Sequence, residues 1–211
     1  MLSKKTDMTA LIVDDHPLAC MAIRSLLENE GVTILAEAHD GAEALKLMKN
    51  INPTIITVDV DMPGINGIEV VETLRQRNYT GIIIVVSAEN SRFYGKRSAD
   101  AGANSFVSKK EGMANIIYAI HAGMHGYSYF PFSLNGFIGS VSSEQKMLES
   151  LSAQEMKVMR YLLNGIDNKE TAAAMNLSGK TVSTYKSRLM EKLGCKSVID
   201  LFSFANRNQI S

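Results

Sequence analysis

The apolar positions of this chain follow two rhythms. Over roughly the first 125 residues, short apolar runs alternate with stretches in which apolar residues recur every three to four positions. The runs at 10–13, 33–37, 54–59, 82–87 and 105–108 predict strands, and the segments 17–29, 42–50, 67–77, 93–101 and 112–125 predict helices. The third run carries Ile55-Ile56-Thr57-Val58 straight into Asp59, and Met62-Pro63-Gly64 breaks it soon after, the pattern of a strand buried on both faces. The second run is less apolar than the third and fourth, which suits a sheet edge.

Five strand–helix units in succession predict a parallel sheet with helices on both faces, an α/β domain of flavodoxin-like order 2-1-3-4-5. A Gly-, Pro- and Ser-containing stretch follows from Gly126 to about Ser143 and predicts a connection. Four aromatics in its first half (Tyr127, Tyr129, Phe130, Phe132) predict that this half packs on something. From Glu149 the rhythm becomes purely helical. Ser152-Ala153-Gln154-Glu155 has the form of a capping box opening a helix that Gly165 ends. Asp167 opens a short helix to about Met175; after Leu177-Ser178-Gly179 a long helix covers 180–193, and Ser197 opens a last one to about Asn206. A short helix, a tight turn and a longer helix form a helix-turn-helix. The expected division is 1–125, a linker at 126–147, and a helical domain at 148–211.

Composition changes this picture little. No apolar run is long enough for a transmembrane helix and no signal-peptide core follows Met1, so a cytoplasmic location is expected without membrane association. Cys20 and Cys195 lack ligand spacing and read as reduced structural thiols. Charge is more informative: Lys and Arg number 13 against 16 acids in residues 1–147, and 9 against 6 in residues 148–211. A basic tail suits a polyanion such as DNA.

The candidate chemistry lies at strand ends. In an open parallel sheet, reacting groups gather at the carboxyl ends of the strands. Asp14 and Asp15 end the first, Asp59 the third, Ser87 the fourth, and Ser108-Lys109-Lys110 the fifth. Three converging carboxylates need a cation or a proton to relieve their repulsion, and an open oxygen-rich site suits Mg²⁺. Carboxylates, a metal, a hydroxyl and an ammonium suit accepting and holding a phosphoryl group. Taken singly, each has a plainer role: the Asp pair as a helix cap, Ser87 as a strand-end hydroxyl, Lys109 as a solvated cation.

As a set, Asp14-Asp15, Asp59 before Met62-Pro63-Gly64, Ser87, and Gly102-Ala103 leading to Phe106-Val107-Ser108-Lys109 resemble the CheY-like receiver domain of bacterial response regulators over about residues 8–125. The resemblance implies that Asp59 accepts the phosphoryl group. It also implies that Asp14, Asp15, Asp59 and the backbone carbonyl of Asp61 hold Mg²⁺, and that Ser87 and Lys109 contact the phosphoryl oxygens. Phe106 falls where the family has an aromatic that reorients on phosphorylation. Asp61 and Glu89 fall at positions that modulate the lifetime of the phosphoryl group. Asn104, where Gly is common, and Lys110, where Pro is common, are departures. Asp59-Val60-Asp61 also resembles the opening motif of Mg-dependent haloacid-dehalogenase-type phosphatases, but those carry it on the first strand.

Leu151-Ser152, Glu155, Asn168-Lys169-Glu170, Leu177-Ser178, Lys180-Thr181-Val182-Ser183-Thr184-Tyr185 and Lys192-Leu193-Gly194 resemble the LuxR/NarL (FixJ) helix-turn-helix over about 148–208. That resemblance makes 180–193 the recognition helix, with Val182, Tyr185, Leu189 and Leu193 spaced as a buried stripe. Lys169, Lys180 and Lys186 are expected on DNA phosphates. Thr181, Ser183, Thr184, Ser187 and Arg188 complete the expected DNA-facing set. Thr171 replaces the apolar residue usual after Asn-Lys-Glu. The two halves together resemble the EvgA/BvgA group of two-component regulators. This implies a phosphorelay, a sensor histidine kinase as partner, and a homodimer reading an inverted-repeat promoter site. The alternative within the same architecture is a receiver that dimerises and never carries phosphate.

Overall fold

The computed structural model describes residues 8–88, 91–130, 143–208 and 210. The chain divides into two compact units, Met1–Pro131 and Phe132–Ser211.

In the first unit, β1 (Thr9–Val13), β2 (Thr33–Ala38), β3 (Ile55–Asp59), β4 (Ile82–Ser87) and β5 (Ser105–Ser108) alternate with α1 (Pro17–Asn29), α2 (Gly41–Leu47), α3 (Gly67–Gln76), α4 (Ser91–Asp100) and α5 (Asn115–Met124). The strands are parallel in the expected order β2-β1-β3-β4-β5. β3 and β5 are buried at every position, whereas β2 at the edge is half-exposed. Register places Val13 beside Val58, Asp59 beside Val86, and Ser87 beside Ser108. Four strand ends therefore finish at one level, and the residues that follow them share one edge. Beneath that edge Ile12, Ile23, Ile55, Ile84, Val86 and Ile116 pack into one apolar cluster that fixes the strands against α1 and α5.

The helix after β3 is held unusually close to it. Asn66 and Glu69 form a capping box, and a Cβ on Gly67 would run into the carbonyl of Asp59. Only glycine permits this approach.

Two structural features lie within the expected linker. After α5, Gly126 takes a left-handed conformation (φ +78°), and Tyr127 N–H donates to Ala122 O at 2.8 Å. The chain then runs along β5, where Tyr129 forms a parallel bridge with Ser105. Further on, residues 143–149 form a helix that the periodicity did not predict. The remaining expected linker residues, 131–142, lie outside the described ones.

That helix, α6 (Ser143–Glu149), belongs to the second unit with α7 (Ala153–Leu163), α8 (Asn168–Ala174), α9 (Gly179–Leu193) and α10 (Val198–Arg207). It carries the fully buried Leu148, and Glu144 receives hydrogen bonds from Arg207 (2.8 Å) and Asn208 (3.0 Å). A seven-residue helix with one buried leucine is too short to show a period. Val158, Met159, Val182, Leu189 and Leu201 make the core. Under it, Lys192 Nζ reaches Glu155 Oε2 at 2.6 Å and the Ser150 carbonyl at 2.9 Å. This ties the end of α9 to the capping box of α7.

Candidate functional site

The carboxyl edge of the sheet brings Asp14, Asp59 and Lys109 into contact. Asp59 ends β3 with 3% of its surface exposed, and Asp14 is fully buried. Lys109 Nζ lies 2.7 Å from Asp14 Oδ2 and 3.2 Å from Asp59 Oδ1. The lysine is placed by its own backbone, whose N–H donates to Ser87 O at 2.8 Å.

Burial pushes the Asp59 carboxyl up to about 7; Lys109 opposes the shift, and Asp14 and Asp61 add to it. For Lys109, burial alone would lower the ammonium, but Asp59 and Asp14 together raise it above its ordinary value. The lysine is therefore a fixed cation, and it compensates the buried Asp59 charge only in part.

Asp15 stands at the solvent side of the cluster. Asp15 Oδ1 is buried and faces His16 Nδ1 at 2.7 Å. Ligand atoms of Asp14, Asp15, His16 and Asp59 all lie within 4.8 Å of one another. Three carboxylates at this spacing supply a donor set that suits a hard divalent cation. The position of His16 was not anticipated. Its adjacency to the acid pair was its only signal, and it faces Asp15 because it is the N-cap residue of α1. Asp14 Oδ1 accepts the His16 N–H at 3.0 Å, so the acid pair does shape the turn into α1 as well.

The other expected residues occupy distinct places. Ser87 is fully buried at the end of β4, and Asp61 is exposed in the turn after β3. Phe106 is fully buried in β5. Glu89 lies outside the described residues. Cys20 supports the site from beneath: its Sγ donates to Asp14 O at 3.2 Å, and burial, with Asp14 nearby, pushes the thiol up to about 11. It is a protonated structural thiol at neutral pH.

The departure at Asn104 has a structural use. Its Oδ1 accepts from Arg75 Nη2 at 2.7 Å and from Ile83 N–H at 2.8 Å. Arg75 also donates to the carbonyls of Gly102, Tyr79 and Gly81. The side chain thus fastens α3 to the entries of β4 and β5.

In the second unit, Asp167 caps α8, and Ser178 caps α9 across a turn in which Asn176 is left-handed (φ +53°). Lys169, Lys180, Ser183, Thr184, Ser187 and Arg188 are exposed, while Thr181 and Lys186 are partly so. Of the expected buried stripe, Val182, Leu189 and Leu193 are buried, but Tyr185 is not. Tyr185 instead joins Lys180, Thr181, Thr184 and Arg188 in lining an open hollow of about 280 Å³. A tyrosine satisfies an apolar spacing while its hydroxyl end stays wet, so spacing alone does not reveal that exposure. Thr171, the departure in α8, is fully buried and its hydroxyl has no hydrogen-bond partner among the described residues.

Comparison with known proteins agrees with both halves. Residues 10–121 match the response regulator receiver domain, and residues 149–205 match the luxR family of bacterial regulatory proteins. The chain is 61% identical over 203 residues to the DNA-binding transcriptional activator EvgA of Escherichia coli K12, covering 96% of this chain and all of that one. It is 34% identical to the transcription regulator BvgA of Bordetella pertussis over 204 residues, covering 95% and 98%. Among solved structures it resembles RcsB from Salmonella enterica serovar Typhimurium bound to promoter rprA with the phosphomimetic BeF₃⁻, at TM-score 0.73 and 26% identity over 95% of this chain and 99% of that one.

Proposed function

Because the chain belongs to the response regulators that join a receiver domain to a LuxR-type DNA-binding domain, we propose that phosphorylation of Asp59 controls its binding to promoter DNA. The observation that carries this reading is the placement of Asp59. It is a buried carboxylate at a strand end, flanked by a fixed ammonium and by the carboxylates of Asp14 and Asp15.

In the proposed reaction an Asp59 oxygen attacks the phosphorus of a phosphohistidine on a sensor kinase. The bond from phosphorus to the histidine nitrogen breaks, and an acyl phosphate forms on Asp59. Asp14, Asp15, Asp59 and the Asp61 carbonyl would hold Mg²⁺, which when bound neutralises charge on the transferring group. Lys109 pairs with the phosphoryl oxygens from the β5 side and Ser87 from the end of β4. Phe106 is the aromatic whose rotamer would follow the change.

The output would be two copies of the helical unit on an inverted repeat, with α9 in the major groove. Lys169, Lys180 and Lys186 would sit on phosphates, and Thr181, Ser183, Thr184, Ser187 and Arg188 would face the bases. No described helix is long and apolar enough to cross a membrane, and a cytoplasmic regulator fits that finding. The acid pair follows β1 and the acceptor ends β3, which favours a receiver over a free-standing phosphatase; the similarity to transcription regulators points the same way. Mass measurement after treatment with acetyl phosphate and Mg²⁺ tests the assignment. The intact chain gains one phosphoryl group and Asp59→Asn gains none; label on the variant would contradict it.

A further inference from the structure

The chain that leaves the receiver is hydrogen-bonded to the same strand that carries Lys109. β5 is an edge strand, so the groups on its outer side have no strand partner within the five-stranded sheet. Two of them are nonetheless satisfied. Phe106 N–H donates to Tyr129 O at 2.9 Å, and Tyr129 N–H donates to Asn104 O at 3.2 Å. Together they form one rung of a parallel ladder, centred on Ser105. The left-handed turn at Gly126 aims the chain along β5, and the Tyr129 side chain packs against the core cluster below. The compact unit ends two residues later, at Pro131.

Both ends of this short strand therefore meet something important. Lys109 follows β5 directly and lies three residues beyond Phe106, a distance of about 10 Å at the usual rise of a strand. It is held there by Asp14 and Asp59. At the other end Asn104 is braced through its side chain by Arg75. A strand embedded in a packed sheet shifts as a unit, because interiors of this density do not deform continuously. A single rung, isolated among the described residues, is the part of the sheet that such a shift breaks first.

We propose that the Tyr129 rung on β5 connects the phosphoryl site to the segment leading to the DNA-binding unit, and that it opens when Lys109 exchanges its carboxylate partners for a phosphoryl group. The inference rests on the reading of Asp59 as the phospho-acceptor. In the resting protein the segment is docked up to Tyr129. In the activated protein the rung is open and the tether lengthens by the residues it frees.

Hydrogen exchange on the full chain tests this, with beryllofluoride and Mg²⁺ as the activating probe. The Phe106 and Tyr129 amides are expected to exchange at least tenfold faster on activation, with no change in Asp59→Asn. Equal exchange in both states, with beryllofluoride shown to be bound by mass or fluorine resonance, overturns the proposal. Tyr129→Pro removes the donor to Asn104. A variant that still takes up phosphoryl but binds DNA equally with and without it supports the connection, and a wild-type response overturns it. If Tyr129→Pro does not fold, the exchange measurement on the unsubstituted chain still decides. Should the unsubstituted chain bind beryllofluoride without any change in DNA affinity, the functional reading fails, and the exchange rates report on the rung independently.

Discussion

Lys109 and Asp59 face each other across 3.2 Å at the carboxyl edge of the sheet, and the same ammonium lies 2.7 Å from the fully buried Asp14. One cation thus balances two carboxylates from two other strands. Removing one partner of a buried charge group typically costs about 3–5 kcal/mol, because the remaining charge is stranded. Lys109→Ala is expected to lower the stability of the metal-free protein by roughly that amount. Added Mg²⁺ should restore a large part of it. Urea denaturation with and without Mg²⁺ checks this, and an unchanged midpoint would remove the lysine from the site's electrostatics.

The raised Asp59 carboxyl has a pH consequence with a definite sign. Its folded-state value of about 7 lies above the ordinary 3.8, so the folded chain holds this proton more tightly than the unfolded one. The stabilising contribution is full below pH 3.8 and is lost as pH rises towards about 7. Asp59→Asn lacks the ionisation. In metal-free buffer the variant should exceed the parent by ~2–4 kcal/mol above pH 7, with the difference shrinking as pH falls. Paired melts across that range measure it.

Glu155 behaves in the opposite way. Burial alone would raise its carboxyl, but the hydrogen bond from Lys192 and those from Ser152 hold it below the ordinary 4.5. Its contribution is present above pH 4.5 and disappears as pH falls further. The helical unit should therefore lose stability in acid, and Glu155→Gln should flatten that dependence while lowering stability at neutral pH. Far-ultraviolet circular dichroism of the helical unit's transition within the full chain follows both.

In α8, Thr171 carries a buried hydroxyl that has no hydrogen-bond partner among the described residues. Replacing a buried unsatisfied polar group by an apolar one of the same shape is neutral or favourable. Thr171→Val should raise the stability of the helical unit by about 1 kcal/mol without moving DNA affinity. A clear loss would show that the hydroxyl has a use the fold does not display.

Gly67 is the tightest point behind the acceptor. Gly67→Ala would force its Cβ against the Asp59 carbonyl, so α3 or β3 must shift. Overpacking of this kind costs about 1–3 kcal/mol. Phosphoryl uptake should fall with it, since Asp59 moves too. A variant as stable and as readily phosphorylated as the parent would contradict the close packing.

Much of this architecture is legible in the residues themselves. Ile55 to Val58 is apolar or β-branched at every position because β3 is covered on both faces, and that leaves little room for another assignment. The joint placement of Asp14, Asp59 and Lys109 follows from strand ends that finish at one level. What escaped reading has physical reasons. Helix α6 is too short to show a period, and its burial rests chiefly on Leu148. Tyr129 pairs through backbone groups, which no side-chain pattern reports. Asn104 is visible as an unusual residue, but its partner Arg75 lies 29 positions away and is reached only through the fold. Tyr185 has the spacing of a buried residue but is only half-buried, lining the hollow beside α9.

The central claim is that phosphoryl on Asp59 changes how the helical unit binds DNA. The most direct measurement is the affinity of the full chain for promoter DNA of the regulated genes, with and without acetyl phosphate and Mg²⁺, with mass recorded on the same samples. A phosphoryl mass gain and tighter binding are expected, both absent in Asp59→Asn. A full mass gain with unchanged affinity would contradict the claim.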